Sequence, residues 1–350
     1  MAPEFCTLFD SNYLPRGLAL YESLRAVEPR ARLRAFCMDD RAYRVLEQLD
    51  LPGLIAVSLT DLERHDPELT SVKADRTQVE YCWTATPSVA RYCLDLEPDL
   101  DAITYVDADV YFFSSPEPLF AELGEGSTQI VPHRYAPRYL HQVATSGIYN
   151  VEWLTFKRDR SGLETLDWWR ERCIEWCYHR LEDGKLGDQM YLNDWPERFE
   201  GVSVLQHVGG GLAPWNVANY TLRERDGRLW VDDVPVVFYH FHLLQLFEPS
   251  ARYEDGHILR GVRSANSGRV LWTSRYPRSS VEERLLWEPY VAAIVRALEL
   301  VRTADPDFAG GFVSYGDLVR QSVRRTLADA YHRAVGLRTH TAAAWITSLS

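Results

Sequence analysis

Apolar positions along the chain follow two alternating periods. Residues 4–9 (EFCTLF) form a short apolar run closed by Asp10-Ser11-Asn12, after which Leu14, Leu18, Tyr21 and Leu24 recur at helical spacing as far as Val27. Pro15 falls in the first turn of that segment, where a proline suits a helix start. The same succession of run, break and periodic segment then repeats. It predicts strands at 31–38 and 54–58, helices at 40–49 and 76–96, and a strand at 102–106 that stops at Asp107. Further strands are expected near 128–132, 147–156, 202–206 and 234–241, with a long helix at 160–181. Strand and helix in alternation imply an α/β fold, a mainly parallel sheet flanked by helices. From about 251 the pattern changes to a Gly/Ser/Arg-rich stretch followed by helical periods at 281–302 and 313–335. The chain is therefore divided into a domain over 1–250 and a linker with helical extension over 251–350.

Composition narrows the function classes. The 350 residues carry 38 basic and 50 acidic side chains, a net charge of −12. An acidic surface is a poor partner for a polyanion, so no nucleic acid is expected. The N-terminus lacks the basic and apolar regions of a signal peptide, and no window is apolar enough to span a membrane. The six cysteines, at 6, 37, 82, 93, 173 and 177, lie mostly in apolar runs and read as reduced core thiols. A cytoplasmic protein is expected. The basic amphipathic stripe of Val319, Val323, Leu327, Ala330 and Ala334, flanked by Arg320, Arg324, Arg325 and Arg333, offers either a subunit interface or contact with the inner membrane face.

The strongest chemical signal is Tyr105-Val106-Asp107-Ala108-Asp109-Val110. Side chains at i and i+2 of an extended chain share a face, so Asp107 and Asp109 can hold one divalent cation. Asp99-Leu100-Asp101 and Asp305-Pro306-Asp307 repeat the spacing, but only the 107/109 pair ends one apolar strand and leads into another.

Residues 102–120 (AITYVDADVYFFSSPEPLF) resemble the Asp-x-Asp segment of GT-A glycosyltransferases, most closely glycosyltransferase family 8. Other segments resemble that family in matching order over residues 5–250. Thr7 to Tyr13 (TLFDSNY) looks like its opening nucleotide-binding loop, and Arg91 sits where it places a donor-binding arginine. Gly147 to Val151 resembles its strand with an active-site asparagine, Asn150. Gly187-Asp188-Gln189 resembles its Asp-Gln motif, and Pro235 to His240 its strand carrying a third metal ligand. The resemblance implies a GT-A (Rossmann-like) sheet and transfer of a sugar, with retention, from a nucleotide-diphospho-sugar, a UDP-sugar, to an acceptor such as a glycan or lipid-linked molecule. It implies donor contacts from Thr7, Phe9, Asp10, Asn12, Tyr13, Arg91, Asp107, Ala108 and Asp109, and sugar and acceptor contacts from Asp188, Gln189 and Asn150. The metal ligands would be Asp107, Asp109 and His240, and a histidine nitrogen moves the preference from Mg²⁺ toward Mn²⁺.

The chain departs from the family after His240, where His-x-x-Gly-x-x-Lys-Pro-Trp is missing and His240-Phe241-His242 stands instead. His242 shares a strand face with His240, and His207 begins a related spacing that ends Ala213-Pro214-Trp215; both remain alternative third ligands. Two other functions stay open. A nucleotidyltransferase making sugar nucleotides would share the sheet, although residues 7–13 contain no glycine for a phosphate loop. A non-catalytic binding protein on the same fold is the other.

Overall fold

The central sheet grows outward from the first apolar run. In chain order its strands are β1 (Glu4–Phe9), β2 (Arg32–Cys37), β3 (Leu54–Ser58) and β4 (Ala102–Val106). After the short β5 (Val110–Phe112) come β6 (Thr128–Pro132), β7 (Tyr149–Lys157) and β8 (Val202–Val204). The spatial order is β3-β2-β1-β4-β7-β6-β8, and only β7 runs antiparallel to its neighbours. The chain is thus a mixed α/β protein with a mainly parallel sheet, as the alternating pattern implies. This computed structural model describes residues 3–248, 263–265, 270–314 and 316.

Alternation along β1 assigns the two faces. Phe5 and Phe9 face the Leu14–Val27 helix, while Cys6 and Leu8 face the Gln78–Leu96 helix. The first helix lies so close that a Cβ on Gly17 would come within 2.3 Å of the Phe9 ring, so only glycine fits there. The Gln78–Leu96 helix begins with a reciprocal cap between Thr77 and Glu80 and shares its core with the Arg160–Glu175 helix.

The helix expected over 160–181 ends at Glu175, where Trp176 turns extended. Arg76 Nη2 donates to the carbonyl of Ile174 at 3.1 Å, and its guanidinium lies 4.0 Å from the Tyr178 ring centre. That contact gives the terminal carbonyl a donor in place of the N–H that another helical turn would supply.

Three small antiparallel sheets complete the fold. β9 (Leu222–Arg225), β10 (Arg228–Val231) and β11 (Val234–Pro235) form one, and β12 (Phe238–His240) pairs with β5. β13 (Leu244–Phe247), β14 (Arg263–Ala265) and β15 (Val270–Ser274) form the third, which straddles the expected boundary near 250. Beyond it, Tyr290, Ile294 and Leu298 of the Glu288–Ala304 helix share a core with Leu14 and Leu18. The described residues past 250 therefore pack into the first unit. The stripe from Val319 to Ala334 lies outside the described residues.

Candidate active site

The sheet order reverses between β1 and β4, because β2 and β3 lie to one side of β1 and β4 to the other. Loops leaving two such parallel strands diverge and open a crevice at the strands' C-terminal ends. Asp10 follows β1, and Asp107 follows β4. A groove of about 670 Å³ lies instead at the N-terminal strand ends, lined by Glu4, Arg32 and Glu97 among others. Its walls mix the ion-paired Glu4, Arg32 and Glu97 with apolar residues such as Leu96 and Phe120, at the opposite strand ends from the 107/109 turn.

Asp107 and Asp109 occupy a tight turn, closed by the Val110 amide donating to the Asp107 carbonyl at 3.1 Å. Register brings in the remaining groups. The β12–β5 pairing sets His240 opposite Val110, one residue beyond Asp109. The Asp107 amide donates to the carbonyl of Glu152 on β7, which sets that carboxylate behind the turn. His240 Nε2 lies 3.0 Å from Asp109 Oδ1 and 3.7 Å from Asp107 Oδ2, and its Nδ1 lies 2.6 Å from Glu152 Oε2. Tyr105 donates its hydroxyl to Asp107 Oδ1 at 2.9 Å. A donor atom from each of Asp109, His240 and His242 falls within 4.8 Å of the others.

The electrostatics follow from burial and crowding. Burial opposes charge on His240, but Asp109 and Glu152 outweigh it and push the imidazole well above its ordinary value. Burial also raises Asp109, yet His240, His242 and Arg16 together hold it below the usual carboxylate range. Asp107 moves up, chiefly through burial; His240 resists and the Asp109 charge adds to the shift. Asp188 is pushed up to about 7, first by burial and then by Asp107. Among the described residues, four carboxylates thus crowd one end of the sheet against two imidazoles and Arg16.

The donor set fits a divalent cation. Carboxylate oxygens and an imidazole nitrogen converge, and the repulsion between the Asp107 and Asp109 carboxylates is what a bound positive charge relieves.

The other sequence candidates divide. Asp10 accepts the amides of Asn12 at 2.9 Å and Tyr13 at 3.1 Å and the Gln78 side chain at 2.8 Å. These bonds hold the loop at the crevice rim, where Tyr13 is 42% exposed. Thr7, Phe9 and Ala108 are buried in the core. Asp188 is brought near Asp107, whose charge adds to the upward push that burial gives its carboxyl. Gln189 donates to the Ser146 carbonyl at 2.6 Å, and the Asn150 amide meets buried His133 Nε2 at 3.1 Å. Gly187, at φ +55, takes the left-handed conformation just before Asp188, and a Cβ there would meet the Trp83 ring tightly, at 3.0 Å.

Arg91 is not brought to the crevice. Its guanidinium pairs with Asp95 and Asp167, each at 2.8 Å, between two helices. The i,i+4 partner on its own helix accounts for that direction. His207 is elsewhere as well, with its amide on Glu122 Oε2 at 2.9 Å and its Nδ1 accepting from the Gly209 amide at 3.2 Å.

Two groups at the site escape motif reading. Glu152, 1% exposed, is a carboxylate inside an apolar strand. Arg16, 5% exposed, stacks 4.6 Å from the Tyr13 ring centre and donates to the Leu244 carbonyl at 3.1 Å. Each is a charge in an otherwise apolar run, which is itself the signal.

Fold and site together define an α/β protein whose topological switch point carries a carboxylate–imidazole cluster. No protein-family model matches the chain. It is 29% identical over 312 residues to the uncharacterized protein YfnD of Bacillus subtilis (strain 168), covering 89% of this chain and 94% of that one. It is likewise 29% identical over 324 residues to the uncharacterized protein YfnF of the same organism, covering 91% and 99%. Among solved structures it is similar to the galactosyltransferase LgtC in complex with donor and acceptor sugar analogues. That match has a TM-score of 0.46 and 16% identity over 68% of this chain and 87% of that chain. Mouse xyloside xylosyltransferase 1 gives a TM-score of 0.42 and 12% identity over 69% and 97%. Among the described residues, no helix is long and apolar enough to cross a membrane.

Proposed function

We propose that the chain is a metal-dependent glycosyltransferase that moves a sugar from a UDP-sugar to a hydroxyl acceptor with retention. The observation that carries this reading is the cluster of Asp107, Asp109 and His240 in the crevice beside the Asp10–Tyr13 loop. Asp107, Asp109 and His240 would hold a divalent cation, Mn²⁺ by preference, which neutralises charge on a departing diphosphate.

The remaining residues bind and orient. Tyr13 offers an exposed ring to the base, and Asp10 a carboxylate at the same rim. Arg16 adds a fixed positive charge beneath that loop. Asp188, Gln189 and Asn150 would hold the sugar and acceptor on the Asp107 side. In a same-face exchange the acceptor oxygen bonds to the anomeric carbon as the diphosphate oxygen leaves. The acceptor's proton passes to that departing oxygen, so no enzymic nucleophile is required.

The test is UDP release from a panel of UDP-sugars with Mn²⁺ and cell extract as acceptor source, with products read by mass spectrometry. Turnover that Asp109→Ala abolishes, and an α-linked product from an α-linked donor by NMR coupling, are expected. Undiminished turnover in Asp109→Ala would remove the metal role, and a β-linked product would remove retention.

A further inference from the structure

We propose that His242 is a fourth protein ligand, which makes the cluster a two-carboxylate, two-imidazole site able to take a transition-metal ion before any nucleotide arrives. The proposal rests on the reading that Asp107, Asp109 and His240 hold a cation, and it goes beyond it in naming the extra donor and the class of ion.

The geometry carries the inference. With metal–ligand bonds of about 2.1 Å, donors around one ion stand about 3 Å apart when adjacent and about 4.2 Å apart when opposite. The donor atoms of Asp109, His240 and His242 already lie within 4.8 Å of one another, so small side-chain adjustments close the shell. The backbone is turned to allow it. β12 ends at His240, the Leu244 amide donates to the Phe241 carbonyl at 3.3 Å, and Leu243 sits at φ +60. A leucine rarely occupies that left-handed region, which costs about 1 kcal/mol or more. This turn keeps His242 on the His240 side instead of releasing it along the strand.

The ring is also held in place. His242 lies 5.7 Å from the Trp215 ring and 6.2 Å from Tyr276, centre to centre, while Trp215 also packs on His240 at 5.4 Å. One indole thus braces both imidazoles against the carboxylate turn. Two nitrogen donors favour Mn²⁺, Co²⁺ or Zn²⁺ over Mg²⁺, which prefers oxygen and parts reluctantly with water.

The experiment titrates Co²⁺ into full-length protein without nucleotide, following the visible absorption of the ion, and repeats the titration with UDP. Wild type should bind one Co²⁺, and Mg²⁺ in large excess should fail to displace it. His242→Ala and His242→Phe should each weaken nucleotide-free affinity at least about tenfold and shift the absorption bands. The phenylalanine variant preserves ring packing, so recovery of wild-type affinity in it alone would reduce His242 to a packing role and overturn the proposal. Unchanged affinity and spectrum in both variants, with binding lost in Asp109→Ala, would also overturn it while leaving the three-ligand reading intact. Absence of Co²⁺ binding by wild type both with and without UDP would sink both readings together.

Discussion

Asp188 carries a cost that a single substitution can expose. Burial first, and the neighbouring Asp107 second, raise its carboxyl from 3.8 to about 7. Between those two values the unfolded chain has released the proton while the folded chain retains it. The folded state therefore binds more protons, and the free energy of unfolding falls as pH rises through that window. A shift of about three pK units corresponds to about 4 kcal/mol at 1.36 kcal/mol per unit. Only the part from pH 5 to about 7 falls within the pH 5–8 assay, about 2.7 kcal/mol at most, and relaxation and water entry reduce it, so about 1–3 kcal/mol is expected. Asp188→Asn keeps the shape and removes the ionisation. The assay is urea unfolding in EDTA at pH 5 and pH 8 for wild type and variant. Wild type should lose stability relative to the variant across that interval. A stability difference that stays flat with pH would refute the argument, because it would mean that Asp188 is ionised in the folded protein at pH 5 already.

Three further outcomes test the same cluster. His240→Ala should weaken Mn²⁺-dependent UDP binding by calorimetry far more than His207→Ala, and the reverse order would move the ligand to the earlier motif. Mn²⁺ affinity should rise from pH 6 to pH 8 with net proton release, because the raised Asp107 and His240 must shed protons before coordinating; a flat profile contradicts that. Glu152→Gln should lower Mn²⁺ affinity about tenfold and change the ¹⁵N shifts of the His240 ring in metal-free protein, since Glu152 fixes which ring nitrogen holds the proton; unaltered shifts would leave Glu152 a packing residue.

Much of the fold was legible because buried parallel strands read as unbroken apolar runs. The strands expected at 4–9, 54–58, 102–106 and 128–132 match β1, β3, β4 and β6 end to end. Elements with little burial left no such trace. The mostly exposed β9 and the short helices Leu59–His65 and Pro67–Ser71 have too few apolar positions for a period to emerge, and β10, four residues long, is too short for one. The overrun beyond Glu175 has the opposite cause. Trp176, Cys177 and Tyr178 keep the segment apolar, but they pack from an extended chain, and hydrophobicity alone does not distinguish the two.

The site was legible to the extent that its residues follow one another in sequence. Asp107 and Asp109 stand out as a carboxylate pair at a strand end, although a tight turn and not a shared strand face brings them together, and the order of motifs points to His240. Periodicity assigns a side chain to a face and says nothing of what stands opposite. Glu152 meets His240 across 88 positions, and Arg16 meets the Leu244 carbonyl across 228. Arg91 shows the converse. Its place sixteen residues before Asp107 matches a motif spacing, yet Asp95 one turn away and Asp167 on the next helix take the guanidinium first. Spacing to a motif is therefore weaker guidance than the cost of the surroundings. A charge in an apolar run, as at Glu152 within Tyr149–Lys157 or Arg16 within Leu14–Leu20, costs several kcal/mol unless something charged or strongly polar meets it. Both of these meet their partners at the same turn of chain, around His240 to Leu244. The two anomalies thus converge on the crevice without reference to any motif, through the demand that a buried charge be answered.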